Sequence, residues 1–436
     1  MRILWIVPYL PWPTTSGGKT RQYHLLRTLS ERGHRITLLV QSKTPADAAV
    51  HAALEPLLER LIVVPRRALK HPMTLLAGVF APWPLLTTVN GLSPVLQARF
   101  SELLKETWDV IQVEHSYSLQ PYFTLLQQQA RDFVLTEHNL ESSLGGATYD
   151  RFPKWAAPFV RYDQWRCQQW ERKAFDAACH VVAVTQADAQ AIGQLTTTPV
   201  SVVVNGVDSR AFSDVSADPQ SQRLLFVGNY EYAPNLDAVQ WLLDDIFPRV
   251  WLQCPNARLA VAGFGLPAHW RERWADDRIE WQGFVPDLTA LQRRCAGFVA
   301  ALRHGGGSKL KVLEAMAAGL PLVSTAQGVS GLAVEPQVHY LAGESAEALA
   351  DGIVRLLDEP TLARQLAQAA RDYGRNHHDW AVAGNELEQI YRTLPTNRSL
   401  KHARSPGLPP GHGRAFVGHR PPGAGPGTRL ARPGQH

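Results

Sequence analysis

Cysteine is scarce in this 436-residue chain. The four cysteines are Cys167, Cys179, Cys254 and Cys295. They contain no Cys-x-x-Cys spacing, which argues against a zinc site and against a disulfide framework, and a reducing cytoplasm is the compartment they favour. Long apolar runs are also missing, because none reaches the roughly 18 residues that a membrane-spanning helix needs. The first eight residues carry one charge and a short apolar run, which predicts a buried strand and not a signal peptide.

Acidic residues are absent from residues 396–436, which contain seven Lys or Arg. This tail accounts for more than the whole formal charge of +5. The basic isoelectric point is therefore no evidence that the rest of the chain binds nucleic acid, and we expect none as a partner. Fifteen of these 41 residues are Pro or Gly, and large aliphatic side chains are rare, so we predict no fold for the tail.

Apolar runs and helical patterns alternate from the first residue. The run 2–7, the helical pattern 20–32 and the run 35–40 form a βαβ unit, which implies a parallel sheet covered on both faces. The later strand candidates of the first half are Leu61–Val64, Val110–Val113, Phe133–Thr136, Val181–Val184 and Val200–Val204. After a polar linker near 205–222 the alternation restarts, with Leu224–Val227, Leu259–Ala262, Phe298–Ala301 and Leu320–Ser324.

This rhythm predicts an α/β protein with two Rossmann-like, doubly wound parallel-sheet domains facing a cleft. The expected limits are residues 1–205 for the first domain and 206–378 for the second. Residues 379–395 are predicted to form an amphipathic helix that crosses back to the first domain, and 396–436 form the tail. A chain of this length is expected to have more than one core, and ligands tend to bind between domains.

The most informative segment runs from Leu302 to Pro321 and follows a predicted buried strand. Ser308 is predicted as the N-cap of a short helix, and Gly319 is placed for the left-handed position after its last turn. The glycines before the cap, Gly305, Gly306 and Gly307, allow backbone N–H groups to approach a ligand closely. Together with the amides of Ser308 and Leu310, the amino end of such a helix favours a diphosphate.

Charged residues flank the same segment. Arg303 and Lys309 would add full positive charge beside the diphosphate. Glu314 lies further along the helix, where a carboxylate can accept two hydrogen bonds from a ribose diol. A glycine-rich turn selected only for packing is the competing interpretation, but it leaves the two cations and the glutamate unexplained.

This stretch resembles the donor-binding signature of the family 4 retaining glycosyltransferases, which have the GT-B fold. The family pattern has two glutamates separated by seven residues, and Glu314 matches the second, which in the family holds the ribose. The first, which contacts the donor sugar, would fall at Gly306. A bacterial polysaccharide-type subgroup with a glycine-rich loop before the Leu-Glu-Ala-Met-Ala helix is more similar to this chain.

Other landmarks agree with the resemblance over nearly residues 1–394. Gly17 and Gly18 follow Pro11-Trp12-Pro13 as in the family's N-terminal loop, which closes over donor and acceptor. Gly228 and Asn229 match the loop that opens the second domain. Many relatives have an Arg and a Lys in that loop. Neither occurs here, so we expect Arg303 and Lys309 to supply the positive charge. Phe284 and Val285 match the turn whose backbone receives the nucleotide base.

Two Glu-His pairs follow successive predicted strands, Glu114-His115 and Glu137-His138. Doubly wound folds place their sites at the carboxyl ends of strands. The family commonly has a histidine after the first of these strands that contacts the transferred sugar, which makes His115 the first catalytic candidate and Glu114 the second. We expect Glu137 and His138 near the donor, although a histidine at a strand end can also be purely structural.

The resemblance implies a transferase that moves a hexose from a UDP- or GDP-sugar to a glycan or lipid-linked acceptor with retention of configuration. The nucleotide sugar is a co-substrate and no cofactor is expected. No Asp-x-Asp motif occurs, so metal-independent turnover is predicted. Residues 71–95 combine prolines with aromatic and aliphatic side chains. Buried packing is one interpretation of them, and contact with the acceptor or with the inner face of a membrane is the other.

Three rival functions match parts of the sequence. Gly17-Gly18-Lys19-Thr20 suggests a phosphate loop of nucleotide triphosphatases, but the required first glycine is Pro13, which lacks an N–H group. Gly263–Ala268 matches a dinucleotide fingerprint loosely, and an oxidoreductase would leave residues 303–319 unexplained. A GT-B protein that binds a sugar nucleotide or a partner without transferring sugar is the third.

Overall fold

A computed structural model of the chain describes residues 1–43, 45–66, 78, 80–91, 93–143, 154–305 and 309–394. The predictions for Gly306, Gly307, Ser308 and the tail lie outside the described residues, as does much of the segment 71–95. Among the described residues no helix is long and apolar enough to cross a bilayer.

The first half forms a seven-stranded sheet in which every pair of neighbouring strands is parallel. Its strands are β1 Arg2–Val7, β2 Arg35–Ser42, β3 Arg60–Pro65, β4 Val110–Glu114, β5 Val134–Glu137, β6 His180–Ala183 and β7 Val200–Val202. The α-helices among the described residues of this half are Gly17–Glu31, Ala48–Leu54, Leu85–Gly91, Pro94–Leu103, Gln120–Gln128, Ala157–Ala177 and Gln186–Gly193. The central strand β1 is a continuous apolar run because helices cover both of its faces.

The second half forms a six-stranded parallel sheet. Its strands are β8 Arg223–Val227, β9 Arg258–Ala262, β10 Ile279–Gly283, β11 Gly297–Ala300, β12 Leu322–Ser324 and β13 Leu341–Ala342. The α-helices are Ala233–Trp241, Phe247–Gln253, Trp270–Arg273, Leu288–Gln292, Leu310–Ala317, Ala346–Asp358 and Pro360–His378, and a π-helical turn, Leu242–Ile246, joins the first two.

The six strands of the second sheet have the same order as the first six strands of the first sheet. The first reads β3-β2-β1-β4-β5-β6-β7 and the second reads β10-β9-β8-β11-β12-β13. The predicted fold, two doubly wound parallel-sheet domains, is confirmed. In this order the chain direction across the sheet reverses between β1 and β4 and again between β8 and β11, and ligands bind at the carboxyl ends of the strands on either side of such a reversal. The topology therefore predicts two crevices, one in each half.

The last described helix, Trp380–Thr393, lies against the helix Gly17–Glu31 of the first half. Gly384 permits this close contact, since a Cβ there would lie 2.4 Å from a methyl carbon of Thr28. Trp380 stacks on His24 with 5.3 Å between ring centroids. Where the chain leaves the first sheet and later returns to it, Val207 pairs with Asp379. By contacts between Cα atoms, Met1–Pro395 is one compact unit, and the limits 1–205, 206–378 and 379–395 stay a prediction.

Candidate active site

The first crevice brings together three landmarks that are distant in the sequence. Gly18 lies beside Tyr9 and His138, because a Cβ there would be 2.4 Å from Tyr9 Oη and 3.4 Å from His138 Nδ1. The rings of His115 and His138 lie 4.1 Å apart between centroids. Gly17 is the first residue of the adjoining helix. The glycines at the start of the helix that follows β1 and the two histidines after β4 and β5 thus form one cluster.

A chain of hydrogen bonds holds the carboxyl group of Glu114. Its Oε2 lies 2.8 Å from His138 Nε2, and its Oε1 accepts a hydrogen bond of 3.1 Å from Gln112 Nε2. Gln112 Oε1 in turn accepts a hydrogen bond of 3.0 Å from Tyr391 Oη, on the last helix. Burial lowers the pKa of His138 to about 3, so its ring is neutral. With Nε2–H donating to Glu114, Nδ1 remains an acceptor beside Gly18.

His115 has an unusual backbone conformation. Its φ of 66° is in the left-handed region, which residues other than glycine seldom adopt and which is often found at functional sites. Its Nε2 lies 3.1 Å from Tyr9 Oη, and its ring stacks on Tyr117 with 4.7 Å between centroids. Nδ1 has no hydrogen-bond partner among the described residues. Burial and His138 hold the pKa of His115 well below its usual value, so the imidazole is neutral.

Arg21 supplies the compensating charge for Glu114. Burial raises the pKa of the Glu114 carboxyl, and the positive charge of Arg21 opposes that shift. Arg21 is itself buried, which lowers its pKa to about 10. It donates hydrogen bonds of 3.0 Å to Val204 O and to Asn205 Oδ1. A buried carboxylate with a buried cation at charge-coupling distance is the arrangement that allows ionisation away from water.

Glu137 has a different environment from the one predicted. Its side chain is fully buried, and its Oε1 accepts a hydrogen bond of 2.6 Å from the backbone N–H of Ser116. Burial, together with the nearby Glu171, raises the pKa of Glu137 well above its usual value. The carboxyl therefore stabilises the turn that follows His115. It offers no exposed surface for the donor contact predicted from the sequence.

The helix of the glycine-rich segment is Leu310–Ala317, and we call it the cassette helix. Its N-cap position is Lys309, which makes no side-chain capping bond, so the predicted N-cap at Ser308 is not the one in the structure. The predicted end is confirmed. Gly319 has a φ of 66°, its N–H bonds to Met316 O, and Leu320 N–H bonds to Ala315 O, which together form a Schellman motif.

The amino end of the cassette helix lies at the boundary between the two sheets. Leu310 packs against the apolar clusters of both halves. Lys309 is only 5% exposed, and burial lowers its pKa. It lines a cavity of about 20 Å³ together with Thr185 and Asn205 from the first half. A cation at the amino end of this helix therefore faces the first domain.

Two ionisable groups on the cassette helix have strongly shifted pKa values. The Lys311 ammonium donates to Asn235 Oδ1 and lies 5.2 Å from the centroid of the Phe226 ring. Burial, reinforced by Lys309, lowers the pKa of Lys311 to about 7. Burial raises the pKa of Glu314 to about 7, although Lys311 opposes the shift. Such perturbed groups often mark a functional site. No sequence motif marks Lys311 as a site residue.

Arg303 is paired with another residue of its own domain. Its Nε lies 3.0 Å from Asp237 Oδ2, its Nη2 contacts Asp237 Oδ1, and its guanidinium lies 5.1 Å from the centroid of the Trp241 ring. About half of the Arg303 side chain is exposed. Its charge is thus already balanced, and contact with a diphosphate would have to compete with Asp237. Lys309 and Lys311 are the less compensated cations beside the cassette helix.

The loops after β8 and β11 touch at the second crevice. A Cβ at Gly305, where φ is 113°, would lie 2.9 Å from the side chain of Pro234. A Cβ at Gly228 would lie 3.0 Å from Asn235. Asn235 Nδ2 donates a hydrogen bond of 2.7 Å to Asn229 O. Asn235 thus joins the Gly228-Asn229 loop to Lys311 of the cassette helix.

Phe284 and Val285 follow β10, so they lie at the carboxyl ends of the strands of the second sheet, as the loops after β8 and β11 do. Phe284 is 62% exposed, whereas Val285 packs against the apolar cluster below. The rival dinucleotide fingerprint has a packing explanation, because a Cβ at Gly263 would lie 1.7 Å from Gly228 O. Within the described part of the chain, no group of three or more His, Cys, Asp or Glu residues could hold a metal ion.

Several residues that support the site were not predicted from the sequence. They are Tyr9, Arg21, Gln112, Asn235, Lys311 and Tyr391. They lie on six different elements, so no local spacing connects them. Only their proximity to Glu114 or to the cassette helix, which the fold creates, identifies them.

Comparison with known proteins agrees with this geometry. A family model described as Glycosyltransferase Family 4 matches residues 15–210, and one described as Glycosyl transferases group 1 matches residues 221–359. Glycogen synthase from Mycobacterium tuberculosis is 25% identical over 425 residues, which cover 93% of this chain and 98% of that protein.

Two solved structures share the fold at low sequence identity. Sucrose-phosphate synthase from Thermosynechococcus elongatus has a TM-score of 0.66 and 18% identity, over 90% of this chain and 99% of that one. Anabaena HepE, in a complex with UDP and glucose, has a TM-score of 0.62 and 17% identity, over 90% of this chain and 100% of that one. The two family models match successive parts of the chain and together cover every strand of both sheets except β1. The chain therefore belongs to the family 4, group 1 glycosyltransferases, which take their sugar from a nucleotide-sugar donor.

Proposed function

We propose that this enzyme transfers a hexose from a UDP- or GDP-sugar to a glycan or lipid-linked acceptor, as a member of the bacterial polysaccharide-type subgroup. The observation that carries the proposal is the cassette helix. Its amino end lies at the boundary between the two sheets, with Lys309 buried there and Lys311 and Glu314 on the following turns. The crystal structure of HepE with UDP and glucose supports a UDP-hexose as the first donor to test.

The donor diphosphate is assigned to the amino end of the cassette helix. Backbone amides of Lys309 and Leu310, at the start of the helix, would donate to the phosphate oxygens. Lys309 and Lys311 add positive charge, and Glu314 accepts the ribose hydroxyls. The cavity that the described residues form beside Lys309 has a volume of about 20 Å³, and we infer that the two sheets move apart at this point when a diphosphate binds.

The transferred sugar is assigned to the first crevice. His115 and His138 are both neutral there, and each has a ring nitrogen that can act as a hydrogen-bond acceptor for a sugar hydroxyl. Glu114 fixes the orientation of His138 and stays in the interior. Retention of the anomeric configuration follows the family resemblance. In this scheme Glu114 is a positioning residue and His115 touches the sugar.

Metal-independent turnover is part of the proposal. As the bond between the anomeric carbon and the diphosphate breaks, negative charge grows on the leaving oxygen. The helix amino end and the two lysines are already in place to stabilise that charge. Other transferases use a divalent cation for this task, and the same electrostatic principle applies.

A surface of the first half supports a lipid-linked acceptor. Phe80, Trp155 and Trp165 are 81%, 82% and 55% exposed. Arg166 holds the turn at Ala81 against the helix that bears Trp165, through a hydrogen bond of 2.7 Å from Nη1 to Ala81 O. Arg161 is exposed on the same helix. Exposed Trp residues beside Arg suit the interface of an anionic membrane, and we assign this surface to peripheral membrane contact.

The decisive experiment is a turnover screen with UDP- and GDP-sugars, in which nucleoside diphosphate release and a glycosylated product are followed by mass spectrometry. Replacement of Lys309 by Met should lower kcat by roughly a hundredfold to a thousandfold, as the loss of one charge-stabilising group does in other enzymes. Lys105→Met, at a surface lysine of the first half, is the matched control. Near-normal turnover of Lys309→Met, or binding without turnover for every donor, would contradict the proposal.

A further inference from the structure

A separate cavity of about 480 Å³ opens at the carboxyl ends of β1, β2 and β3, in the first half of the chain. It adjoins the reaction centre, because Tyr9 lines it and Tyr9 Oη lies 3.1 Å from His115 Nε2. Its volume is in the range that holds small-molecule ligands. None of the groups assigned to the donor in the second half of the chain lines it.

The charged side chains of this cavity are mostly cationic. Lys19, Lys43 and Arg66 reach it from the first helix and from the segments after β2 and β3. Asp47 is the one carboxylate among the lining residues, and its Oδ1 already accepts a hydrogen bond of 2.8 Å from Val50 N. Burial lowers the pKa of Lys19, and in the described residues no carboxylate forms an ion pair with Lys19 or Lys43. The excess positive charge favours an anion.

Two further features refine the chemistry. Ser16, which precedes the 15-residue helix Gly17–Glu31, lines the cavity, and the first turn of that helix contains no acidic residue. Its dipole adds to the positive potential. Trp12 also lines the cavity, and its ring packs against Tyr23 with 5.1 Å between centroids, so its position is fixed. An aromatic side chain beside cations suits a ligand that has both an apolar sugar face and an anionic group.

We propose that this cavity binds the acceptor and that the acceptor carries a phosphate ester. The phosphate contacts Lys19, Lys43 and Arg66, and the acceptor hydroxyl lies next to Tyr9 and His115. In the transfer the hydroxyl oxygen bonds to the anomeric carbon, the bond from that carbon to the diphosphate breaks, and the hydroxyl proton passes to the leaving diphosphate. This assignment rests on the proposed transferase function and adds the chemical class of its acceptor.

The phosphate ester has two possible sources, and two binding experiments on the full chain distinguish them. In the first, glucose 6-phosphate is titrated calorimetrically, with uncharged glucose as the comparison. In the second, the protein is sedimented with phosphatidylcholine vesicles that contain phosphatidylinositol, and with vesicles of phosphatidylcholine alone. Binding in the first experiment assigns a soluble phosphate, and binding in the second alone assigns a lipid headgroup.

Substitutions connect either result to the cavity. Lys19→Gln and Lys43→Gln should each weaken phosphate binding about tenfold, which corresponds to about 1.4 kcal/mol. Lys105→Gln, at a surface lysine that forms an ion pair with Glu102, should leave it unchanged. Lys43 is exposed, so its replacement preserves the fold even if Lys19→Gln does not. Circular dichroism shows whether the Lys19→Gln and Lys43→Gln variants retain the secondary structure of the unsubstituted protein.

The proposal is overturned if neither phosphate probe binds, if glucose binds as well as glucose 6-phosphate, or if both lysine variants bind like Lys105→Gln. UDP and GDP binding, measured in parallel, tests the donor site separately. If the protein binds a phosphate probe but neither UDP nor GDP, the proposed transferase function is refuted, whereas the anion-binding role of the cavity is retained. If the protein binds UDP or GDP but neither phosphate probe, only the proposal of a phosphorylated acceptor is refuted.

Discussion

Replacement of Lys311 by Met should make the protein more stable and less active. Burial lowers the pKa of Lys311 from its ordinary value of 10.5 to about 7, which means that the folded state disfavours the ammonium form. Methionine keeps most of the apolar stem and removes the charge. The same charge should help to hold the donor diphosphate, so kcat/KM for the donor should fall.

The size of the stability effect follows from the pKa shift. One pKa unit corresponds to about 1.4 kcal/mol, so the charged lysine costs the folded state up to about 4–5 kcal/mol below pH 7, where both states are protonated. As the pH rises from 7 to 10.5, the folded protein releases the proton first and the penalty decreases, to about 2 kcal/mol at pH 9. Loss of the hydrogen bond to Asn235 costs about 1–2 kcal/mol at either pH. Lys311→Met should therefore gain about 2–4 kcal/mol at pH 6 and about 0–1 kcal/mol at pH 9.

Differential scanning calorimetry at pH 6 and pH 9 measures the effect. A gain of about 2–4 kcal/mol raises the Tm of a domain of this size by roughly 5–15 °C. The difference in stability gain between the two pH values does not depend on the lost hydrogen bond to Asn235, because that loss is the same at both. Lys105→Met is the control, because the side chain of Lys105 is 68% exposed. If Lys311→Met lowers the Tm at both pH values, or shows the same change at pH 6 and pH 9, the argument from the buried charge is wrong.

Three further predictions concern the donor site, the first crevice and the membrane surface. Since burial raises the pKa of Glu314 to about 7, its carboxylate gains a proton as the pH falls below 7, so KM for the donor should rise there. Glu314→Gln should raise KM at every pH and remove that dependence in steady-state kinetics. Tyr391→Phe leaves the buried Gln112 Oε1 without its donor, so thermal unfolding should show a loss of about 1–2 kcal/mol, and kcat should fall more than KM changes. Replacement of Trp155 and Trp165 by Ser should reduce sedimentation with anionic vesicles, whereas Leu252→Ser, at an 84% exposed position of the second half, should not.

The sequence predicts buried strands well and edge strands poorly. Central strands such as β1 and β11 are continuous apolar runs because they are covered on both faces, and that pattern is visible without a structure. Strands β10 and β13, at the two edges of the second sheet, are not among the strands predicted from the sequence. In β10 the apolar run is broken by Glu280, which forms an ion pair with Arg223, and β13 has two residues.

Candidate site residues can be predicted from the sequence where reactive side chains directly follow the end of a strand or lie within a short motif. Glu114, His115 and the cassette helix fall into this class, and the resemblance to a known family adds their roles. Lys311 could not be identified in this way, because its shifted pKa depends on burial and on the charge of Lys309, and its hydrogen-bond partner Asn235 lies on a distant helix, Ala233–Trp241. The prediction that Arg303 contacts the diphosphate omitted Asp237, an ion-pair partner 66 positions earlier in the chain.

The chain passes between the two halves twice, after Asn205 and after His378, and both connections are linked by hydrogen bonds to the first crevice. Arg21, whose charge compensates Glu114, donates a hydrogen bond to the side chain of Asn205, at the start of the first connection. Asn205 O lies 2.9 Å from Nδ1 of His378, at the start of the second connection. Tyr391, beyond that connection, donates to Gln112 and so to the Glu114 network. A movement of one sheet relative to the other acts on both connections at once. Arg21 and Tyr391 are held by hydrogen bonds at or beyond these two connections. We therefore expect an opening that admits the donor diphosphate to shift both side chains. Such a shift would change the hydrogen bonds and charges around Glu114, and so link donor binding to the arrangement of the first crevice.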